Sequence, residues 1–185
     1  VTDSGALSIA GTTSIAAGAG NNINLDAAND FGSAVSIASG NNVRLNDVNA
    51  LSMGTSTVSG NLQITAAGAV AGSGALVVDG ATSITAGFVN NVTLSDAGND
   101  FGTGITIVSG NDVTLSDANG LDMAASTING NLQITAGGAV TDSGAISVAG
   151  TTSITAGAGN DVTLDDTNTF AASVSIVSAD DVTLN

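Results

Sequence analysis

Short runs of alternating hydrophobic and polar residues recur along the whole chain. Between positions 62 and 66, Leu62, Ile64 and Ala66 alternate with Gln63 and Thr65, and similar runs lie at 105–107 and 153–156. Each run is bounded by Gly, Asn or Asp, which are residues of turns. A period of two predicts short β-strands with one buried face. The pattern therefore predicts an all-β fold.

The chain also matches itself at a spacing of about 70 residues. The phrase Val-Thr-Asp-Ser-Gly-Ala at 1–6 returns at 140–145, and Gly-Asn-Leu-Gln-Ile-Thr-Ala at 60–66 returns at 130–136. These matches predict repeats at approximately 1–69, 70–139 and 140–185. Because both ends of the chain fall inside a repeated phrase, we interpret 1–185 as a single segment cut from a longer repeat array.

A shorter period lies inside each repeat. Val-Thr-Leu at 92–94 returns at 113–115, and the same tripeptide at 162–164 returns at 182–184. We therefore expect three coils of roughly 20 to 27 residues in each repeat. Like residues at like positions favour a solenoid over a sandwich or a propeller, because stacked coils place identical side chains in ladders. The prediction is a right-handed parallel β-helix of about eight coils and ~40 Å in length.

Composition supports a folded rod with an aliphatic core. The 185 residues are 43% hydrophobic with a mean hydropathy of +0.39, and only four are Phe. Phe31, Phe101 and Phe170 recur at one position of the repeat and are expected to plug a core end or a corner. Met53 and Met123 recur at another position, and we interpret them as core filling. No apolar run approaches the length of a membrane span, so membrane insertion is not expected.

The charged residues exclude several classes of function. Sixteen Asp residues face a single basic residue, Arg44, which gives a net charge of -15. His, Cys, Lys and Glu are absent, so Ser-His-Asp or Cys-His nucleophiles, ordinary zinc sites and Schiff bases cannot form. The charge opposes binding of nucleic acid. We predict no catalytic residues, no metal ligands and no cofactor.

A pair of Asn or Asp residues before many strands is the most regular polar feature. Such a pair predicts a corner in which these residues adopt left-handed backbone conformations and stack into a hydrogen-bonded ladder. The pairs are Asn21-Asn22, Asn41-Asn42, Asn90-Asn91, Asn111-Asp112, Asn160-Asp161 and Asp180-Asp181.

Two functional alternatives involve the Asp residues. Asp161, Asp180 and Asp181 are expected to lie together at one corner, where they are candidates for binding Ca²⁺. Asp165, Asp166 and Asp181 could instead act as the acid and base of a polysaccharide-cleaving β-helix enzyme. The enzyme hypothesis lacks the Arg, Lys, His or aromatic groups that usually hold a sugar, and a solvated acidic face explains both clusters more simply.

Three phrases together resemble the repeats of filamentous-haemagglutinin-like adhesins, which are large exoproteins of two-partner secretion systems. They are Gly-Asn-Leu-Gln-Ile-Thr-Ala, Gly-Ala-Val-Thr-Asp-Ser-Gly-Ala and Ala-Gly-Thr-Thr-Ser-Ile-Thr-Ala-Gly. The resemblance covers all 185 residues. Because the amino-terminal secretion domain of that family is not recognisable, the resemblance implies the β-helical shaft of such a protein.

We therefore expect a structural shaft segment of a secreted, cell-surface adhesin or extracellular filament, without catalysis. The alternatives are a carbohydrate-active β-helix enzyme and a calcium-binding surface-layer module. The expected partners are neighbouring coils of its own longer chain, or identical subunits end to end. A host or cell-surface receptor is expected to contact only other regions of the full-length protein.

Overall fold

A computed structural model describes all 185 residues as β-strands and their connections, without any helix. The first strands are β1 (Ser8–Ile9), β2 (Thr13–Ala16), β3 (Ile23–Phe31), β4 (Val35–Ser39), β5 (Val43–Asp47), β6 (Leu51–Met53), β7 (Ser56–Val58) and β8 (Leu62–Ala66). They are followed by β9 (Val70–Gly72), β10 (Leu76–Val78), β11 (Thr82–Thr85), β12 (Val92–Leu94), β13 (Ile105–Ser109), β14 (Val113–Asp117), β15 (Leu121–Met123) and β16 (Ser126–Ile128). The last are β17 (Leu132–Ala136), β18 (Val140–Asp142), β19 (Ile146–Val148), β20 (Thr152–Thr155), β21 (Val162–Leu164), β22 (Thr169–Phe170), β23 (Val174–Ser178) and β24 (Val182–Leu184).

Every strand pairing is parallel, which makes the molecule a β-solenoid. A typical coil contains three strands: β8, β9 and β10 follow one another, and β11 then pairs in parallel with β8 to begin the next coil. The successive strands of a coil lie on three faces. Hydrogen bonding continues around two corners, at Val35↔Met53 and Ile105↔Met123, so the pairings form sheets of ten, nine, three and two strands.

Each face is identified by the outward side chains that stack along it. Face 1 carries Thr2, Asn24, Arg44, Gln63, Ser83 and Thr106. Face 2 carries Ser52, Ala71, Thr93, Thr114, Gln133, Ser153 and Ser175. The part of face 3 nearest the carboxyl end of the chain carries Asp122, Thr141, Thr163 and Thr183.

The all-β parallel solenoid predicted from the alternation and the period of about 20 residues is confirmed, with about nine coils rather than eight. The difference arises because a repeat is longer than three coils. From Thr2, three pairing steps along face 1 lead to Gln63, and the equivalent of Thr2 in the second repeat, Ala71, lies one strand further on, on face 2. The third equivalent, Thr141, lies on face 3.

One repeat therefore comprises three coils and one additional face, or three and one third coils. Each copy is displaced by one face around the rod relative to the copy before it. Three complete repeats make ten coils, after which the same position of the repeat returns to the same face.

The core is a single cluster of 38 buried hydrophobic residues that runs through the stack. Identical or similar side chains lie above one another, as in the ladder Ile64–Ile84–Ile107 and the pair Leu94–Leu115. Phe31 and Phe101 are buried in this core, and both Met53 and Met123 are fully covered. Small aliphatic residues suffice because the interior between three closely spaced faces is narrow.

Candidate functional site

The corner loops owe their shape to glycine rather than to Asn or Asp. Left-handed backbone occurs only at glycines, among them Gly18, Gly87 and Gly157 at equivalent corners. The prediction that Asn and Asp adopt this conformation is therefore wrong. Glycine bears no Cβ and enters this region without strain. The Asn that follows three residues after this glycine contributes a side-chain hydrogen bond instead. Asn21, for example, donates from Nδ2 to the Ala17 carbonyl at 2.9 Å.

The predicted ladders of Asn and Asp side chains are present. Before face 1, the amide of Asn42 donates to Asn22 Oδ1 at 3.2 Å, and the amide of Asn61 donates to Asn42 Oδ1 at 3.0 Å. The amide of Ala81 then donates to Asn61 Oδ1 at 2.9 Å. Each side-chain oxygen thus accepts a hydrogen bond from a corner amide of the next coil and joins the two coils at this corner.

The second repeat builds the same ladder at a different corner. Before face 2, the amide of Asp112 donates to Asn91 Oδ1, and Asp112 Oδ1 accepts from the amide of Asn131 at 2.9 Å. Asn131 Oδ1 then accepts from the amide of Thr151 at 2.8 Å. The corners change because each repeat advances by one face around the rod.

The third ladder contains the candidate calcium corner. The amide of Asp181 donates to Asp161 Oδ1 at 3.2 Å, and the amide of Asp180 donates to the Asn160 carbonyl at 2.8 Å. The three Asp residues do lie in adjacent coils at one corner, but no group of three carboxylates in the chain converges as metal ligands. One oxygen of Asp161 is already used by the backbone.

The residues considered for polysaccharide cleavage are not brought together. Asp181 stacks on Asp161 at the corner before face 3, whereas Asp165 and Asp166 lie beyond the other end of β21. The amides of Asp165 and Asp166 both donate to the carboxylate of Asp142. Four residues of extended chain separate Asp161 from Asp165, a distance of about 13 Å.

Buried polar groups at a second kind of corner were missed by the sequence analysis. Asn99 is 1% exposed, and its Oδ1 accepts from the amide of Leu76 at 2.9 Å. Its Nδ2 donates to the Leu94 and Ser116 carbonyls. Asn29 occupies the same position in the first repeat and is fully buried. Each of these side chains accepts a hydrogen bond from a backbone amide of the adjacent coil and so joins the two coils.

Asp117 is a buried carboxylate beside this corner. It is 4% exposed, and it accepts from the amides of Phe101 at 2.9 Å and Asn119 at 2.7 Å. Burial raises the pKa of the Asp117 carboxyl above its ordinary value of 3.8; the two amide bonds oppose this effect and the nearby Asp100 adds to it. Asp47 makes the same two bonds in the first repeat, to Phe31 and Asn49.

The family model described as Repeats of unknown function (DUF5649) matches the chain at residues 1–38, 40–108 and 110–177. These segments cover most of the sequence. The chain belongs to the DUF5649 repeats. Comparison with curated proteins and with solved structures gives no match. No helix of the structure has the length and apolar character needed to cross a membrane.

The copies of the DUF5649 repeat differ at some outward positions. Arg44 of the first copy corresponds to Thr114 and Thr183 in the others, and Asn24 corresponds to Thr93 and Thr163. The cation on the surface around Arg44 is therefore specific to the first copy. We call this region the Arg44 surface and define it by three rows: Asn22, Asn24, Asp26; Asn42, Arg44, Asn46; and Asn61, Gln63, Thr65.

Three of the four surface depressions of the molecule meet at Arg44. One, of about 260 Å³, lies between Arg44, Asp26 and Thr65. A second, of about 290 Å³, is lined by Arg44, Asn61 and Gln63, and a third, of about 350 Å³, extends towards Thr2. Within this surface Asn24 Nδ2 donates to Asp26 Oδ2 at 3.1 Å, while Asn24 Oδ1 is buried and lacks a hydrogen-bond partner.

Proposed function

We propose that the chain is a structural shaft segment of a secreted, cell-surface filamentous adhesin or extracellular filament. The observation that carries the proposal is the single continuous core of 38 residues beneath three faces of mostly polar side chains. A stack of this kind grows by adding coils, since each coil contacts only its neighbours. The resemblance of the repeated phrases to filamentous-haemagglutinin-like adhesins supports the same assignment.

A rod that extends with repeat number holds one end of a protein away from a surface. At ~4.8 Å per coil, each repeat adds about 16 Å. The net charge of -15 keeps neighbouring rods apart in a crowded envelope. We assign the principal receptor contacts to other regions of the longer protein.

The extracellular location can be tested with antibodies raised against the 185-residue chain. We expect intact, unpermeabilised cells of the producing organism to be labelled, with electron microscopy placing the label outside the outermost membrane. Labelling that requires permeabilisation would contradict the proposal. An antibody against a cytoplasmic protein is the control for cell integrity.

The proposal also includes the absence of catalysis. Polysaccharides incubated with the purified chain are expected to keep their length, as measured by reducing-end assays and size-exclusion chromatography. Reproducible cleavage that disappears in both Asp166→Ala and Asp181→Ala would favour the carbohydrate-active enzyme instead.

A calcium-binding surface-layer module predicts a different result. For a shaft stabilised by its aliphatic and backbone ladders, chelation leaves the melting temperature nearly unchanged. A drop of many degrees that Ca²⁺ reverses and Na⁺ does not would favour the calcium-binding module.

A further inference from the structure

We propose that the Arg44 surface binds a short oligosaccharide that carries an isolated carboxylate, as in chains that alternate a uronic acid with a neutral amino sugar. This contact goes beyond the shaft role, because it gives one side of the rod a ligand of its own.

The argument begins with the guanidinium of Arg44. It is the only basic side chain in the protein, it is exposed, and it stands in register between Asn24 on the coil below and Gln63 on the coil above. A guanidinium offers a planar pair of donors that matches a carboxylate in a bidentate arrangement. Arg44 also forms the common wall of three depressions, so a ligand on either side of it contacts this group.

The residues around Arg44 are suited to hydroxyl and acetamido groups. The side-chain amides of Asn46 and Gln63 each carry donors and an acceptor. Each depression is lined by one apolar side chain among several polar ones.

The shape of the surface favours an extended chain. The depressions follow the stacking direction from Thr2 to Gln63, a length of about 14 Å over three coil spacings. One pyranose ring spans about the same length as one coil. An extended oligosaccharide can therefore repeat its contacts with the period of the rod.

Charge limits the ligand to few carboxylates. With a net charge of -15 and Asp26 on the surface itself, a densely charged polyanion is repelled at long range. A single carboxylate at Arg44, flanked by neutral sugars over the amides, avoids most of this repulsion. The corresponding rows of the second repeat carry Thr93, Thr114 and Gln133 and offer no cation.

The test uses isothermal titration calorimetry with the 185-residue chain at physiological ionic strength. The probe is a hyaluronan tetrasaccharide, and the neutral control ligand is the N-acetylglucosamine tetramer. We expect the probe to bind at least about tenfold more tightly than the neutral tetramer, as for a charge-assisted bidentate contact. Absence of binding by the probe at millimolar concentration, or equal binding of both ligands, would overturn the proposal.

Variants locate the site. Arg44→Thr introduces the residue found at positions 114 and 183 of the same fold, so the strand is expected to form normally, and circular dichroism checks this. We expect Arg44→Thr to lower the affinity about tenfold or more. Arg44→Lys is expected to lower the affinity less, because the ammonium keeps the charge but lacks the planar pair of donors of a guanidinium. The double variant Arg44→Thr/Thr114→Arg carries the same charge on face 2. Full recovery of binding in this variant would show that any exposed Arg suffices, and would overturn the site.

Discussion

At the scale of single residues, three equivalent threonines place a hydroxyl in the aliphatic core. The Oγ1 atoms of Thr13, Thr82 and Thr152 are buried and have no hydrogen-bond partner. A buried hydroxyl without a partner loses its bonds to water and gains none in return. The repetition of this feature in all three copies makes it a property of the repeat.

Substitution of Thr82 by Val is expected to stabilise the protein by about 1 kcal/mol, because a methyl group of nearly the same shape replaces the unpaired hydroxyl. Urea unfolding followed by circular dichroism measures the change. Thr93→Val is the matched control on an exposed position of β12, with an expected change within about 0.5 kcal/mol. A clear loss of stability in Thr82→Val would mean that the hydroxyl is satisfied in solution.

Asp117 gives a prediction about pH. Burial holds the pKa of this carboxyl above 3.8 in the folded protein, so its ionised form is disfavoured there relative to the unfolded chain. The stability that this group contributes is therefore fully present below pH 3.8 and is lost as the pH rises through the higher folded pKa. Carbon-13 NMR of the carboxyl should show a higher midpoint in the folded chain than in the urea-unfolded chain. An equal or lower folded midpoint would contradict this assignment.

At the scale of strands and corners, the closeness of consecutive coils leaves little space for side chains. A Cβ added at Gly80 would lie 2.6 Å from the carbonyl oxygen of Gly60 and 2.7 Å from its carbon, in the coil below. Both atoms belong to the backbone, which cannot move aside without disturbing the ladder. Gly150 has the same relation to Gly130 in the next repeat.

Gly80→Ala is therefore expected to destabilise the protein by about 2 kcal/mol or more, since the clash must be relieved by separating two coils. Gly159→Ala is the control, because its Cβ would meet no atom within 4 Å and its backbone is not left-handed. The control is expected to change stability by less than about 1 kcal/mol. Similar midpoints for both variants in thermal unfolding would show that the coils are less closely packed than described.

The strands were predictable from the sequence because the residue types alternate clearly. Leu62–Ala66 forms β8 as the alternation indicates, with Gln63 and Thr65 outside. The same alternation places Asp117 in line with the inward Val113 and Leu115. The burial of Asp117 could therefore have been predicted from the sequence as well. Asn99 gave no such signal, since it lies in an irregular loop and is buried through contacts with two other coils.

At the scale of the whole molecule, the relation between repeat and coil required the structure. Asp100 joins face 3 through a single bridge to Val77, and β3 bends so that one strand serves two faces. Neither feature is visible as a separate alternating run. Three coils per repeat was therefore the natural expectation, and the additional third of a coil appears only in the pairings. The Arg44 surface was missed for a related reason, because its three rows lie about 20 residues apart in sequence.

The outermost coils give a prediction about association. Leu7, Ile9 and Ile15 are only partly buried at one end, and Val182 and Leu184 are 47% and 45% exposed at the other. We expect the isolated 185-residue chain to associate end to end, and added salt to strengthen this association by screening the net charge of -15. Light scattering over a salt and concentration series measures it. A chain that stays monomeric at high salt and high concentration would contradict the prediction.

Disulfide formation tests the parallel stack most directly, because the chain contains no Cys of its own. Thr93 and Thr114 face each other on adjacent coils, so Thr93→Cys/Thr114→Cys is expected to cross-link readily under mild oxidation. Thr93 and Thr163 are equivalent in the repeat but lie on different faces, so Thr93→Cys/Thr163→Cys should remain reduced within the monomer. Failure of the first pair to form a disulfide, or ready formation by the second, would contradict the stacked solenoid.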